Sequence, residues 1–175
     1  MNTIIRSARP EDVPQLVTIF HKTWLETYPN AEHGITVDDI EDKFEDSYSA
    51  ERFEKMSAHI RQLPTNEKYL VAETDGKIVG LARLVKKDEH NALQAIYVLP
   101  EYQGKGIGTM LWKEGRKGFE SSKDFVVDVA EYNSEAISFY KSLGFEETGM
   151  SFTEERHRMK SGAIIPETRL LLRRG

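Results

Sequence analysis

A strand that leads through a glycine-rich turn into a helix, IYVLPEYQGKGIGTML at residues 96–111, is the segment that most constrains the fold of this chain. Three glycines, Gly104, Gly106 and Gly108, stand at alternate positions. Without a Cβ atom, they permit positive φ and a close approach of the backbone to a ligand. The first N–H groups of the following helix lack intrahelical partners and lie at the positive end of its dipole. Because such a helix start binds phosphate oxygens without net positive charge, the segment predicts a phosphate-binding turn within an α/β fold.

Three phosphate-binding patterns compete for this turn. The P-loop pattern G-x-x-x-x-G-K-[ST] fails, because Lys105 is followed by Gly106. The dinucleotide pattern G-x-G-x-x-G fails because Thr109 stands where the third glycine belongs. Asp128 does lie at the distance of that pattern's ribose acid, but in an isolated strand. The third pattern, Q/R-x-x-G-x-G/A, is matched in full by residues 103–108.

A second motif follows, where NSEAISFYKSLGF at residues 133–145 matches N-x-x-A-x-x-F-Y-x-x-x-G-F. Together the two motifs resemble those of the GNAT superfamily of N-acetyltransferases, whose first motif binds coenzyme A at the end of a strand reading YV-x-P. The resemblance covers residues 92–149 in motif detail and the whole chain in the order of its elements. It implies that acetyl-CoA is the cosubstrate and that a primary amine attacks it directly in a ternary complex. The chain is less closely similar to the bacterial spermidine/spermine (polyamine) acetyltransferases.

The hydrophobic patterning predicts one mixed α/β domain over residues 1–175. We predict strands over 3–8, 68–74, 77–86, 92–99 and 125–130, from Phe145 onward and over 164–172. We predict helices over 10–28, over 37–63 with a break near 47–49, from 107 to about 120 and over 133–143. Asp75-Gly76 is typical of a hairpin turn. The resemblance implies a GNAT-like fold: a mostly antiparallel central sheet of about seven strands, splayed at the coenzyme A site and flanked by about four helices.

Composition excludes several other classes of function. The chain has no cysteine, so disulfides, thiolate metal sites and a cysteine nucleophile are excluded. The formal net charge of -5 argues against nucleic acid as a partner. No two of the five histidines lie three or four residues apart, and we predict no metal site. No secretory signal or run of ~20 apolar residues is present, so we expect a cytoplasmic monomer or homodimer with no membrane partner.

The resemblance implies how the cosubstrate would bind. The backbone of the strand ending in Val98 would pair with pantetheine in the gap beside strand 125–130, and the N–H groups of the turn would hold the pyrophosphate. The predicted cofactor-binding residues are Ile96, Tyr97, Val98, Gln103, Gly104, Lys105, Gly106, Ile107, Gly108, Thr109, Asn133, Phe139 and Lys141. Alternatives stay open for three of them: a helix cap for Asn133, and solvated surface cations for Lys105 and Lys141.

Tyr140 is the predicted catalytic residue. Attack of an amine on a thioester expels a thiolate, which a phenol within hydrogen-bond distance can protonate. Packing on the buried face of a helix would explain the position of Tyr140 equally well, and the motif match favours catalysis. Relatives often place a glutamate base early in the strand before the turn, but this chain has Ala92 and Gln94 there. His90, Glu73 or a chain of water molecules could replace that base.

By the same resemblance, residues 24–63 would form one wall of the acceptor pocket. Its aromatic and acidic side chains, Trp24, Glu26, Tyr28, Asp38 and Asp39, could receive a cation. We predict substrate contacts from Trp24, Tyr28 and Gln94, with a polyamine or another small cationic amine as the acceptor. A peptide or ribosomal-protein N-terminus, an amino acid or an aminoglycoside antibiotic is the alternative acceptor. A catalytically weak coenzyme A-binding regulatory module is the alternative class, with a nucleotide-binding dehydrogenase more distant.

Overall fold

The computed structural model describes residues 2–119 and 123–174, which form one seven-stranded sheet with five α-helices. The strands are β1 (Thr3–Ser7), β2 (Glu67–Thr74), β3 (Lys77–Lys86), β4 (Asn91–Val98), β5 (Phe125–Ala130), β6 (Glu146–Arg158) and β7 (Ile164–Leu172). The helices are α1 (Val13–Thr27), α2 (Val37–Phe44), α3 (Ala50–Arg61), α4 (Ile107–Gly115) and α5 (Ser134–Ser142). Short 3-10 turns lie at Pro10–Asp12, Ala31–His33 and Pro100–Tyr102.

The strands follow the order β1-β2-β3-β4-β5-β7-β6, and every neighbouring pair is antiparallel except β4 with β5. The predicted mixed, mostly antiparallel sheet is thereby confirmed. We expected about four helices, and the described residues contain five, because the predicted break divides 37–63 into α2 and α3. Ser49 causes that division by accepting a hydrogen bond from the backbone N–H of Arg52, which caps α3.

Both faces of the sheet are covered at its centre. The five residues from Ile78 to Ala82 in β3 are all buried, although successive strand side chains point to opposite faces. Both α1 and α4 pack on β3. Gly115 allows the close approach of α4, since a Cβ there would lie 2.6 Å from Cδ1 of Leu84. The helix ends at Gly115, so the predicted end near Glu120 is wrong: residues 116–119 form turns, and Gly118 has a φ of +74° that a helix does not use.

The β2–β3 hairpin turns at Asp75 and Gly76, as predicted. Their φ values are +49° and +80°, and positive φ at both positions is what a two-residue type I′ turn requires. None of the helices in the described ranges combines the length and the apolar character needed to cross a membrane.

A bulge in β4 opens the sheet. Arg83 pairs with Ala95 but Leu84 pairs with Leu93, so Gln94 is an extra residue that faces no partner in β3. A bulge bends its strand and increases the local twist. On the other side, β4 pairs with β5 only as far as Ala92, immediately before the bulge. The two central strands therefore diverge beyond that point, and the predicted splay is confirmed.

Candidate active site

The gap between the diverging strands is a cavity of about 470 Å³. It is lined by β4 from Leu93 to Val98, by residues 127–129 of β5, by the glycine turn and by the first part of α5. The edges of β4 and β5 that face the gap have no strand partner there, because β4 pairs only with β3 and β5 only with β7 at this level. Unpaired strand edges can hydrogen-bond an extended amide-containing ligand.

The glycine turn is shaped by backbone conformations that glycine favours. Gly104 and Gly106 have φ values of +70° and +78°, and Gly106 is the N-cap of α4. A Cβ on either glycine would meet no atom within 4 Å, so the space beside the turn is open. The side chain of Gln103 stabilises the turn by donating a hydrogen bond to the carbonyl of Val98 at 3.0 Å. The residues present thus fit a diphosphate at the N-terminus of α4.

All of the predicted cofactor-binding residues line this cavity except Lys105 and Lys141. Lys105 donates a hydrogen bond to the carbonyl of Glu101 at 2.7 Å, and its ammonium lies 5.0 Å from the ring of Tyr102. Lys141 pairs with Glu147 at 2.5 Å. Both lysines therefore have partners within the protein, as expected of surface cations.

The start of α5 faces the same cavity. The Asn133 side chain caps the helix by accepting a hydrogen bond from the backbone N–H of Ala136 at 3.0 Å. Phe139 packs over Gly108, where an added Cβ would lie 3.0 Å from the ring. Gly108 thus allows α4 and α5 to approach each other beside the gap.

Tyr140 lies on the buried side of α5 and also lines the cavity. Burial, with a smaller contribution from Tyr97, raises the pKa of its phenol well above the ordinary value of 10. The phenol is consequently protonated at neutral pH. Among the described residues, no hydrogen bond occupies its hydroxyl group.

A second cavity, of about 940 Å³, adjoins the first. Six residues line both: Tyr28, Leu93, Gln94, Ala95, Tyr97 and Asp128. These shared residues form the junction of the two cavities. Of the predicted substrate contacts, Tyr28 and Gln94 lie at the junction, whereas Trp24 lines only the second cavity. The hydroxyl groups of Tyr28 and Tyr97 are 3.3 Å apart. A molecule in the second cavity could therefore reach one in the first between the splayed strands.

The aromatic wall of the second cavity rests on a small separate core. That core is formed by Ile35, Ile40, Ala130, Met159 and Ile165, and it packs α2 and the preceding loop against the ends of β5 and β7. Trp24, Tyr28 and Phe44 pack against it. The rings of Trp24 and Tyr28 lie 4.4 Å apart.

Each described acid that lines the second cavity has a basic partner. Asp128 accepts two hydrogen bonds from Arg169, at 2.8 and 2.9 Å. Glu167 pairs with His157 at 3.0 Å, and Glu154 pairs with Arg156. By contrast, three further cations that line this cavity, Arg52, Lys55 and Lys87, have no acidic partner in the described part of the chain.

The acids predicted to attract a cation lie elsewhere. Glu26 and Asp38 are exposed and line neither cavity. Asp39 is buried and completes the cap of α2, accepting hydrogen bonds from the backbone N–H and hydroxyl group of Thr36 at 2.9 and 3.0 Å. These three acids stabilise the fold or face solvent.

Of the groups considered as a base, Glu73 is outside both cavities and forms an ion pair with Arg6 at 2.8 Å. His90 lines the second cavity, where burial, assisted by the charges of Lys87 and Arg169, lowers its pKa. The sequence reasoning overlooked His157 and Glu167. The sequence carries a signal for Glu167 alone, because an acid stands at position 167 within the mostly apolar strand 164–172.

Comparison with known proteins agrees with this geometry. Residues 36–145 match the model of the acetyltransferase (GNAT) family. Over 152 residues the chain is 29% identical to the peptidyl-lysine N-acetyltransferase YjaB of Salmonella typhimurium, covering 86% of this chain and 88% of the relative. Over 161 residues it is 30% identical to an N-alpha-acetyltransferase of Sulfurisphaera tokodaii, covering 82% and 80%. Over 114 residues it is 33% identical to the spermidine N(1)-acetyltransferase of Escherichia coli, covering 61% and 60%.

A solved structure has the same fold. The PaiA N-acetyltransferase of Thermoplasma acidophilum, determined in complex with coenzyme A, superposes with a TM-score of 0.71 at 24% identity. The match covers 95% of this chain and 98% of that one.

Proposed function

The chain belongs to the acetyltransferase (GNAT) family, and on that premise we propose that a primary amine attacks acetyl-CoA directly within a ternary complex on this protein. The observation that supports direct attack is the junction of the two cavities between β4 and β5, lined by Tyr28, Gln94 and Tyr97. The chain has no cysteine that could form an acyl-thioenzyme. Two substrates meeting across one gap need no such intermediate.

In this proposal the cosubstrate occupies the smaller cavity. The free edge of β4 from Ile96 to Val98 would hydrogen-bond the amides of pantetheine, as an added strand does. The N–H groups from Gly104 to Thr109 would hold the pyrophosphate with the help of the α4 dipole. Asn133 and Phe139 would line the pantetheine side, while Lys105 and Lys141 would remain at the periphery.

Tyr140 would act as the general acid in this reaction. Its neutral phenol would give a proton to the thiolate sulfur as the carbon–sulfur bond breaks. Protonation of sulfur prevents the expelled thiolate from attacking the new amide, so the transfer is completed.

The second cavity would bind the amine acceptor, and its lining suggests two candidates. A polyamine remains the first candidate from the sequence, and the rings of Trp24 and Tyr28 support it because aromatic faces attract cations. The charges favour a second candidate, an amine that also carries a carboxylate, such as an amino acid or an acidic peptide. Arg52, Lys55 and Lys87 would attract that carboxylate and would repel a polycation.

Acetyl transfer to matched acceptors tests both parts. Release of the coenzyme A thiol would be followed with spermidine, with an amino acid and with the methyl ester of the same amino acid. We expect the free amino acid to show a higher kcat/KM than its ester, with a difference that shrinks as salt concentration rises. A preference for spermidine or the ester would identify a cationic acceptor instead. Binding of acetyl-CoA without thiol release by any amine would favour a regulatory module.

Replacing two lysines that line the second cavity provides the matched control. Exposed ion pairs contribute about 0.2–1 kcal/mol each, so Lys55→Ala with Lys87→Ala should lower kcat/KM for the amino acid by about two- to thirtyfold. The same double variant should leave kcat/KM for the methyl ester nearly unchanged. An equal loss for both acceptors would show that these lysines do not recognise the carboxylate.

A further inference from the structure

We infer that His157 and Glu167 form the pair that removes a proton from the acceptor ammonium, with Nε2 of His157 as the proton acceptor. The inference rests on the proposed function, because an amine must be neutral before it can attack a thioester. Ala92 and Gln94 stand where relatives often have a glutamate base, and neither side chain can accept that proton.

The pair is built on the edge strand β6 and on β7 beside it. His157 is in β6 and Glu167 in the adjacent β7, where Glu167 pairs in register with Ala130 of β5. The side chain of Glu167 is 6% exposed and that of His157 is 18% exposed. Both residues line the second cavity. A buried carboxylate beside a partly accessible imidazole is the arrangement found in catalytic acid–histidine pairs.

The hydrogen bond within the pair determines which nitrogen is free. Nδ1 of His157 lies 3.0 Å from Oε2 of Glu167. An ionised carboxylate has no proton to donate, so Nδ1 must donate and Nε2 of the neutral ring has the lone pair. No hydrogen bond within the described ranges engages Nε2. The Glu167 charge would also stabilise the imidazolium after proton transfer.

The position of the pair fits a role at the junction of the cavities. The ring of His157 lies 6.0 Å from that of Trp24, which is 4.4 Å from the ring of Tyr28. Burial raises the pKa of Tyr28, as does Tyr97, and the charge of Glu167 also reaches it. Tyr28 and Tyr97 line both cavities, so the pair is next to the place where acceptor and cosubstrate would meet.

Other charged groups face the pair from every neighbouring strand. Arg169 of β7 is neutralised by Asp128 of β5, and Arg156 of β6 by Glu154. Lys43 of α2 donates to the backbone carbonyl of Arg156 at 2.8 Å. Each nearby arginine thus has an acid of its own, while the charge of Glu167 acts on both His157 and Arg169.

The proton balance is complete without another reagent. The acceptor ammonium carries three protons, of which Nε2 of His157 takes one and returns it to water after the reaction. The neutral nitrogen forms the bond to the acetyl carbon, the carbon–sulfur bond breaks, and Tyr140 gives its proton to sulfur. The attacking nitrogen loses a second proton, which restores the phenol through solvent, and the third remains in the amide product.

Substitution of His157, followed by the pH dependence of kcat/KM, tests the inference, because a purely structural role would not change the shape of that pH profile. We expect His157→Gln to lower kcat/KM about 10²- to 10⁴-fold near neutral pH and to remove the acidic limb of the wild-type pH profile. Activity of that variant should then rise with pH as the free amine becomes more abundant. In His157→Ala, added imidazole should restore part of the rate. Glu167→Gln should give a smaller loss, because Nε2 of His157 would remain present while the ring would lose the carboxylate that orients it.

Three controls make the result decisive. His33→Gln replaces an exposed histidine that lines neither cavity, and it should leave the rate unchanged. Acetyl-CoA affinity and the unfolding temperature should be retained in His157→Gln, so that a lost rate reports chemistry. A wild type that acetylates no amine would refute the proposed function itself, whereas an active His157→Gln with an unchanged pH profile would refute only this inference.

Two further outcomes would overturn the assignment. The same loss in His90→Gln, with His157→Gln active, would transfer the role to His90. One ligand atom from each of Glu154, His157 and Glu167 lies within 4.8 Å of the others, a spacing that a metal ion could also use. Activity abolished by EDTA and restored by Zn²⁺ would therefore assign this cluster to metal binding, whereas activity unaffected by EDTA supports the proton-accepting pair.

Discussion

The phenol of Tyr140 has two possible roles that its position alone does not separate. It packs between Phe139 and Phe145, with ring centroids 5.5 and 5.9 Å away, as a core residue would. It also lines the cofactor cavity and has no hydrogen-bond partner for its hydroxyl group within the described residues. Removal of that one oxygen atom preserves the packing and tests only the chemistry.

We expect Tyr140→Phe to lower kcat by about 10²- to 10⁴-fold, because the expelled thiolate would lose its proton donor. The Kd for acetyl-CoA, measured by calorimetry, should change little. Tyr48→Phe is the matched control, since Tyr48 is exposed and lines neither cavity, and it should retain wild-type turnover. Unchanged turnover in Tyr140→Phe would leave this residue with a packing role alone.

At the scale of single residues, the sequence predicts best where the local chain determines the structure. The Asn133 cap depends on neighbours three residues away, and it is confirmed. Glu26 and Asp38 were assigned to the acceptor wall from their position in the chain. Which face of a helix lines a cavity depends on tertiary packing, and both side chains face solvent. His157 and Glu167 meet across two strands, a contact that no local spacing reveals.

The turn between β4 and α4 is an element whose backbone conformation and proposed function can be tested separately. Gly106 and Gly34 both have positive φ, +78° and +66°, and a Cβ on either would meet no atom within 4 Å. Alanine should therefore cost a similar backbone strain of about 1–2 kcal/mol at both positions. Gly34 lies in the α1–α2 connection, outside both cavities.

We expect Gly106→Ala to weaken acetyl-CoA binding at least tenfold, because the new methyl group and the strained φ would disturb the N–H groups that hold the pyrophosphate. Gly34→Ala should lower the free energy of unfolding by a similar amount but leave the Kd for acetyl-CoA unchanged. Calorimetric titration and urea unfolding measure the two effects. Equal affinities for the two variants would contradict the assignment of this turn to the pyrophosphate.

Among the elements, the hairpin at Asp75-Gly76 and the division between α2 and α3 were predictable from turn and cap residues. The bulge at Gln94 was not, since neither glycine nor proline marks it. Its cause is the register between strands, which the whole sheet determines. The bulge nevertheless creates the active-site gap, so the order of elements was predictable while the geometry that separates β4 from β5 was not.

On the scale of the whole molecule, one arginine joins the edge of the sheet to the first helix. Arg6 of β1 donates to both carboxylate oxygens of Asp12, at 2.8 and 2.9 Å, and to Glu73 of β2 at 2.8 Å. Asp12 also accepts a hydrogen bond from the backbone N–H of Arg9 at 2.8 Å, just before α1. Buried ion pairs of this kind become costly when one partner loses its charge.

This network makes stability depend on pH in a defined direction. Burial tends to raise the pKa of Asp12, but the hydrogen bonds from Arg6 and Arg9 outweigh it and hold the pKa below the ordinary value of 3.8. A carboxyl group whose pKa is lower in the folded state stabilises the protein above its unfolded pKa, and that contribution disappears as pH falls through the folded value. Glu67 behaves likewise: burial raises its pKa, but hydrogen bonds from Arg83 and His59 lower it overall.

The free energy of unfolding, measured by urea at pH 7 and again below pH 4, should therefore fall towards acid. Asp12→Asn should destabilise the protein at pH 7 by about 3–5 kcal/mol, because it leaves the Arg6 charge without its main partner. The same variant should lose less stability than the wild type between pH 7 and acid, since the substituted amide cannot be protonated in that range.

Asp88→Asn is the control: Asp88 is exposed, has no partner in the described ranges, and should show the wild-type pH dependence. If Asp12→Asn and wild type lost equal stability on acidification, the acid sensitivity would have to come from other carboxylates, with Glu67 as the next to replace.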